Sequence, residues 1–526
     1  MNVDAVGAER VGLTWLRAAL APVGAFGRRV DERIAPYGPG DEARAEGEIA
    51  AAVTLAARLD HASVARLRAA LRAIPEPAPI LGRMRLGEAL SDADFHELLR
   101  FVEGLAQLAA IWDAAGGPAE RRPPVLPSLA RTLWPGRRDG GFYLADGFDP
   151  ELSVARAAFA AAEAEFDARR AIDAERVRAA LGVDPVGEEF VVLREAGDAL
   201  PPGVRVVRET PTYRLLALEA VSAERDAAGA RLLEAEERAR ASLAERIARE
   251  ADAISSVTDA LGALDRGLAR VAFAQRWGAC VPRLADGPIA FADATFAPLA
   301  EALAARGLRY TPLTLELRGT AVLTGPNMGG KSAALATAGF LCACVALGAP
   351  PPAREASLPL LETIVAIGGD GPVERARLLS AYAAEVVRAR ETLAQASPRS
   401  LVLLDEFART TGPREGRALL VALIEALRAR GALALVATHF DGVAEAAEVP
   451  HLRIAGLHER TLAQLDAADL DAALDAINAA MDYRIVPAHD AASDSDALAL
   501  AALLGLDASV VARARAIHAE PPPSSS

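Results

Sequence analysis

The sequence predicts a multidomain protein: a mainly α-helical first half with one small β island, then an α/β phosphate-loop domain and a helical C-terminal segment. Three observations predict it. Over most of the first half Ala, Arg and Glu dominate with little β-branching, and apolar residues recur at three-to-four spacing. Between Glu188 and Leu218 two alternating Val-rich runs flank a Pro-Pro-Gly turn. After Trp277 short apolar runs alternate with helical segments, and one of those runs leads directly into a Gly-rich loop.

Length and charge bound the rest. With 526 residues the chain exceeds the ~250–300 at which a single core stops growing, so two to four units are expected. A net charge of −14 excludes a globally basic binder of nucleic acid, whose affinity comes from phosphate neutralisation, and leaves room only for a local basic groove. No charge-free run approaches the ~18 apolar residues of a membrane span, and the first residues lack the basic start and apolar run of a signal peptide. A cytoplasmic protein without a membrane partner is expected. Cys280, Cys342 and Cys344 are odd in number and have no metal-type spacing, which reads as thiols in a reducing compartment.

In chain order, residues 1–182 read as helical, with runs such as EGEIAAAVTLAARLD and DADFHELLRFVEGLAQLAAIW. The Pro/Gly/Arg stretch 116–141 interrupts them as a linker or crossing loop, and a further helix covers about Pro150 to Leu181. Residues 183–220 hold the β island. Residues 221–277 contain no proline and predict one long helix, either a coiled-coil-like packing element or a lever between distant parts. Residues 278–475 form the α/β domain, with strands at TAVLT, ETIVAIG, SLVLLD and ALALVAT and its chemistry expected at their carboxyl ends. Residues 476–520 read as helical, and 521–526 as a disordered tail.

Gly325-Pro326-Asn327-Met328-Gly329-Gly330-Lys331-Ser332 fits GxxxxGK[ST] between an apolar strand and a helix, the context that this phosphate-binding motif requires. Lys331 is the one lysine among 57 Lys and Arg residues, so a compact ammonium survives only where a guanidinium will not serve. In this reading the loop cradles the phosphates of ATP, Lys331 reaches the β and γ phosphates, and Ser332 ligates Mg²⁺. An acidic pair closing a strand is usually a solvated turn; some eighty residues after a phosphate loop, Asp405 and Glu406 read instead as the magnesium carboxylate and the group that orients the attacking water. A lone histidine is more often structural, but His439 ends the next expected strand, where an imidazole can sense the γ-phosphate. Tyr310, shortly before the loop, is the candidate face for adenine.

LTGPNMGGKS, SLVLLDE, ATHF and the late string MDYRIV resemble the MutS family of ATPases. The resemblance implies an ABC-type ATPase domain, a helical core and lever, a clamp-like β island and a C-terminal dimerisation segment. VAIGGDGPVERARLLSAYAAEV is similar to the family's signature stretch and puts Ser380 where the serine reaches ATP held by the other subunit, which implies a homodimer or a heterodimer with a paralogue. Three departures stand out. The beginning of the chain resembles the family's lever and core region and so implies a short form without the mismatch-reading domain. Thr337 stands where the family commonly has glutamine. Ala408-Arg409-Thr410-Thr411-Gly412-Pro413-Arg414-Glu415-Gly416 replaces the usual GRGTSTYDG and resembles a branch found beside adenosylcobalamin-dependent aminomutases such as lysine 5,6-aminomutase.

The resemblance therefore implies an ATP hydrolase with two alternative targets: mismatched or branched DNA, the family default of mismatch repair, or an aminomutase that it reactivates. Between Glu188 and Leu216 four arginines face five carboxylates, so the island is not cationic by composition.

Overall fold

The computed structural model describes residues 1–185, 189–194, 199–218, 222–326, 329–368, 381–409, 411–456, 481–488, 498, 501 and 506–519. The chain is mixed α/β, mostly helical, and divides into two compact units: residues 72–110 with 123–260, and residues 1–71, 111–122 and 261–526.

In the first of these units the helix Pro150–Leu181 starts where the sequence supplies a start signal: Asp149 accepts the Glu151 N–H at 2.8 Å and Pro150 occupies the first turn. It stops at Gly182, whose φ of 66° is the left-handed cap that glycine tolerates. The β island is a three-stranded antiparallel sheet in which Tyr213–Leu218 lies between Glu189–Leu193 and Val204–Glu209. Phe190, Val192 and Leu216 form its buried face with Val177 of the long helix. The single helix expected over 221–277 is two, Ala223–Ala248 and Ala251–Trp277, with turns at Arg249 and Glu250. Neither proline nor glycine marks that break, so the residue pattern runs through it unseen.

The other unit is built on a seven-stranded sheet: β1 (Asn2–Val3), β2 (Thr320–Thr324), β3 (Thr363–Gly368), β4 (Ser400–Asp405), β5 (Leu433–Ala437), β6 (His451–Gly456) and β7 (Asp482–Pro487). Their order is β1-β3-β4-β5-β2-β6-β7, parallel except for β7. β4 and β5 are buried throughout, which explains their continuous apolar runs, since a parallel sheet is covered on both faces. Four helices position the site: α1 (Ala5–Arg10), α2 (Ala251–Trp277), α3 (Lys331–Ala346) and α4 (Ala381–Gln395). One core joins β2, β3 and β4 to α3 and to Val11 and Leu16 near the start of the chain, while a second packs the opposite sheet face.

Two segments read as purely helical contain strands. Asn2–Val3 lies within the region 1–182 and pairs in parallel with Thr363–Ile364; two residues are too short to show alternation. Asp482–Pro487 lies within 476–520 and pairs antiparallel with β6, the alternating DYRIVP pattern having been absorbed into a helical reading. The C-terminal helix is Ala508–Ala519. The stretch 116–141 is not wholly irregular, since Arg137–Arg138 pairs with Gly141–Phe142. No helix among the described residues is long and apolar enough to cross a membrane.

Candidate functional site: a nucleotide site at the carboxyl edge of the sheet

Because β2 to β6 run parallel, the segments leaving their carboxyl ends gather on one edge. β2 ends at Thr324 and passes through the phosphate loop into α3, with Gly330 as its N-cap at φ 84°. Gly325 adopts φ 145°, and a Cβ on Gly329 would stand 2.9 Å from the Pro326 ring, so the loop's curvature depends on glycine at both places. Asn327 and Met328 lie outside the described residues.

Lys331 is 5% exposed, and its ammonium donates to the carbonyls of Gly325 and Pro326 at 2.8 and 3.0 Å. Burial lowers its pKa, and the charges of Glu406 and Asp405 act against that shift, so the amine and both carboxylates share one electrostatic neighbourhood. An ammonium has three donors; the two loop carbonyls leave one for a phosphate oxygen. Ser332, in the first turn of α3, is exposed. The glycine-shaped loop, the poised amine beside two carboxylates and the hydroxyl that follows it in sequence fit a magnesium-bound triphosphate, with Ser332 and Asp405 the groups that would hold the metal.

Asp405 closes β4 and is 6% exposed. Glu406 then turns away from the strand in the left-handed region, φ 54°, held by its N–H to the Ala437 carbonyl at 2.9 Å, while its carboxylate accepts from Arg409 at 3.2 Å. Ala408 is also left-handed, φ 61°, and its N–H donates to Glu385 of α4 at 2.9 Å. Non-glycine residues in this region store strain that the surrounding bonds must offset, and two within three residues mark the turn after the acidic pair as a built feature. His439 is exposed just past β5, its ring 4.4 Å from that of Phe440.

Not every expected residue joins this group. Tyr310 lies against the flank of α3 with its hydroxyl 3.2 Å from Thr337, nearly two turns beyond Lys331. Ser380 and Thr410 fall outside the described residues. Two residues were missed. Tyr483 of β7 brings its ring to within 3.3 Å of where a Cβ on Gly330 would be, so it is an aromatic face beside the phosphate loop; the only signal was its place in the MDYRIV string. Arg10 of α1 donates to Asp405 Oδ2 at 2.7 Å, a contact across almost the whole sequence that no local pattern announces. Of the cysteines, Cys342 and Cys344 are buried in α3, and desolvation pushes the Cys342 thiol up to about 12, which leaves it chemically inert.

A parallel sheet whose carboxyl edge joins a GxxxxGKS loop, a strand-terminal Asp-Glu pair and a following histidine defines a phosphate-loop ATPase domain. Comparison with known proteins carries this to a family: residues 321–521 match MutS domain V. The chain is 30% identical over 424 residues to the DNA mismatch repair protein MutS of Granulibacter bethesdensis, covering 74% of this chain and 44% of that protein. It is equally identical over 449 residues to MutS of Thermus aquaticus, with 83% and 52% covered, and over 409 residues to endonuclease MutS2 of Pelotomaculum thermopropionicum, with 74% and 48% covered. The chain belongs to the MutS family. It spans about half the length of these curated relatives.

Proposed function

We propose that this chain is an ATP-gated machine that binds and hydrolyses ATP and works as a dimer. The observation that carries the reading is the gathering of Lys331, Ser332, Asp405 and Glu406 at one sheet edge, with the buried amine feeling both carboxylates. Lys331 binds the β and γ phosphates, and Ser332 with Asp405 holds Mg²⁺, which neutralises phosphate charge when bound. Glu406 orients the attacking water and draws its proton, His439 senses the γ-phosphate, and Ser380 completes the partner's site. Tyr483 beside Gly330 and Tyr310 on the flank of α3 are the two aromatic faces offered to the nucleotide. Lys331→Ala is expected to abolish nucleotide binding and Glu406→Gln to bind ATP without turning it over; unchanged affinity in the first or normal turnover in the second refutes the assignment.

The relatives' names, DNA mismatch repair protein and endonuclease, support a first reading of the target as mismatched DNA, which the family resemblance extends to branched DNA and to the cytoplasm. A second reading, a protein client such as an adenosylcobalamin-dependent aminomutase to be reactivated, is favoured by the β island. Val191 opposite Leu215 and Leu193 opposite Tyr213 form an outer face on which Val191 and Leu193 are 53% and 68% exposed. Arg194 and Arg214 both pair with Glu209 and so offer little charge to phosphates. Fluorescence anisotropy with homoduplex, mismatched and branched DNA separates the readings: DNA binding requires affinity that falls roughly tenfold or more between low and physiological salt.

A further inference from the structure

The start of the chain is tied to the nucleotide edge. β1 extends the sheet beside β3, with the Asn2 N–H on the Glu362 carbonyl at 2.6 Å. Asp4 then caps α1 by accepting the Gly7 N–H at 2.9 Å and pairs with Arg388 of α4. Gly7 lets the helix lie close on β3, since a Cβ there would stand 3.3 Å from the Ile364 carbonyl oxygen. Past the helix, fully buried Val11 fills a notch at Gly339 of α3, where a Cβ would come within 2.4 Å of Val11 Cγ1. Strand, cap, ion pair and notch thus fix both ends of a six-residue helix whose last residue is Arg10.

From that position the Arg10 guanidinium spans two strand ends. Nη1 donates to Asp405 Oδ2 at 2.7 Å and Nη2 to the Gly368 carbonyl. The ion pair is largely buried, with side chains 14% and 8% exposed. Gly368 is opposite Asp405 in register, and Ala366 and Leu403 precede them on the same sheet face. Neither apolar side chain can hold a carboxylate, so the fixing group comes from the far end of the sequence. Charge favours a constructive role over competition with the metal: a triphosphate beside two carboxylates carries more negative charge than Lys331 and Mg²⁺ neutralise, and a fixed guanidinium reduces the excess.

We propose that Arg10 is a positioning residue for the magnesium carboxylate, holding Asp405 in the orientation in which it receives the metal, and that the segment from Asn2 to Val11 exists to deliver it. This rests on the nucleotide reading of the site. Outer-shell groups that orient a ligand change metal affinity by about tenfold or more when removed. In the full chain, binding of a fluorescent ATP analogue is measured while Mg²⁺ is titrated, and again in EDTA; Mn²⁺ binding in the presence of nucleotide is followed by electron paramagnetic resonance. Arg10→Ala is expected to raise the Mg²⁺ midpoint about tenfold and weaken Mn²⁺ binding equally, with the EDTA affinity unchanged. Arg10→Lys, which keeps the charge but not the two-pronged donor set, recovers part of the loss. Val11→Ala loosens one anchor of the segment but keeps the guanidinium, and shifts the midpoint by less than Arg10→Ala, while Arg10→Ala adds nothing to Asp405→Asn. An unchanged or lower Mg²⁺ midpoint in Arg10→Ala, or an equal shift in Val11→Ala, overturns the proposal. If instead the unaltered protein binds no nucleotide, or Lys331→Ala binds it normally, the nucleotide reading itself has failed.

Discussion

Gly368→Ala tests the joint between fold and site. Gly368 closes β3, is fully buried beside the end of β4, and adopts φ 86°. A Cβ there would lie 2.0 Å from the Asp405 carbonyl oxygen, 2.9 Å from its carbon and 3.5 Å from its nitrogen. All three are backbone atoms of a buried central strand, so no side-chain rotation relieves the clash and the strand ends have to part by about 1 Å. The left-handed conformation alone costs an alanine ~1 kcal/mol. Losing the last pairing between β3 and β4 costs ~1 kcal/mol per hydrogen bond, and residual backbone strain about 1–3 kcal/mol, for a total of about 3–5 kcal/mol. Denaturant unfolding followed by tryptophan fluorescence measures the loss, and nucleotide affinity should fall with it because Asp405 moves. Gly267→Ala is the control: that residue lies within α2 with nothing within 4 Å of a Cβ, so it should gain about 0.5–1 kcal/mol. A Gly368→Ala protein within about 0.5 kcal/mol of the original and unchanged in nucleotide affinity would refute this account of the β3–β4 end.

Ala408→Gly should stabilise the protein by ~0.5–1 kcal/mol in the same unfolding experiment, because φ 61° is strained for alanine and free for glycine. Burial raises the Glu385 carboxyl above its ordinary value, more than the Ala408 N–H and Arg409 lower it. Its stabilising contribution is therefore complete below the ordinary carboxylate pKa and lost as pH rises through the raised one. Glu385→Gln keeps an acceptor for the Ala408 N–H and should flatten stability against pH over that window, as unfolding at a series of pH values will show. Arg270→Ala should cost about 2 kcal/mol, since it takes its guanidinium from the Gly348 carbonyl and one of two from Glu48 and the Leu347 carbonyl, which keep Arg266; thermal denaturation reads this directly.

The sequence exposed those parts of the site whose chemistry is local. A strand, a Gly-rich loop, the one lysine and a helix are contiguous, and so are β4 and its two carboxylates, so 3.6- and 2-residue periodicity with a motif sufficed. What periodicity cannot carry is pairing at a distance. Arg10 reaches Asp405 across 395 positions, and Tyr483 reaches Gly330 because β7 adds beside β6. The two-residue break at Arg249 and Glu250 was equally hidden, because both residues are good helix formers. Tyr310, nominated by its closeness in sequence to the loop, is fixed by a contact no local pattern announces, its hydroxyl on Thr337 of α3.

The helix that follows the loop is also tied down at its other end. α3 begins at Lys331 and runs 16 residues, ~24 Å, to the carbonyls that close it. There Arg270 of α2 donates to Gly348 at 3.1 Å and to Leu347 at 2.8 Å, and Arg266, paired with Glu48, reaches the same turn. Burial lowers the Arg270 pKa only to about 10, so the guanidinium stays charged at neutral pH and complements the negative end of the helix dipole. α3 is buried along nearly its whole length, so it has no room to bend into solvent. Two long arginines are a sturdier attachment than apolar packing alone, since each hydrogen bond to a terminal carbonyl resists sliding as well as separation.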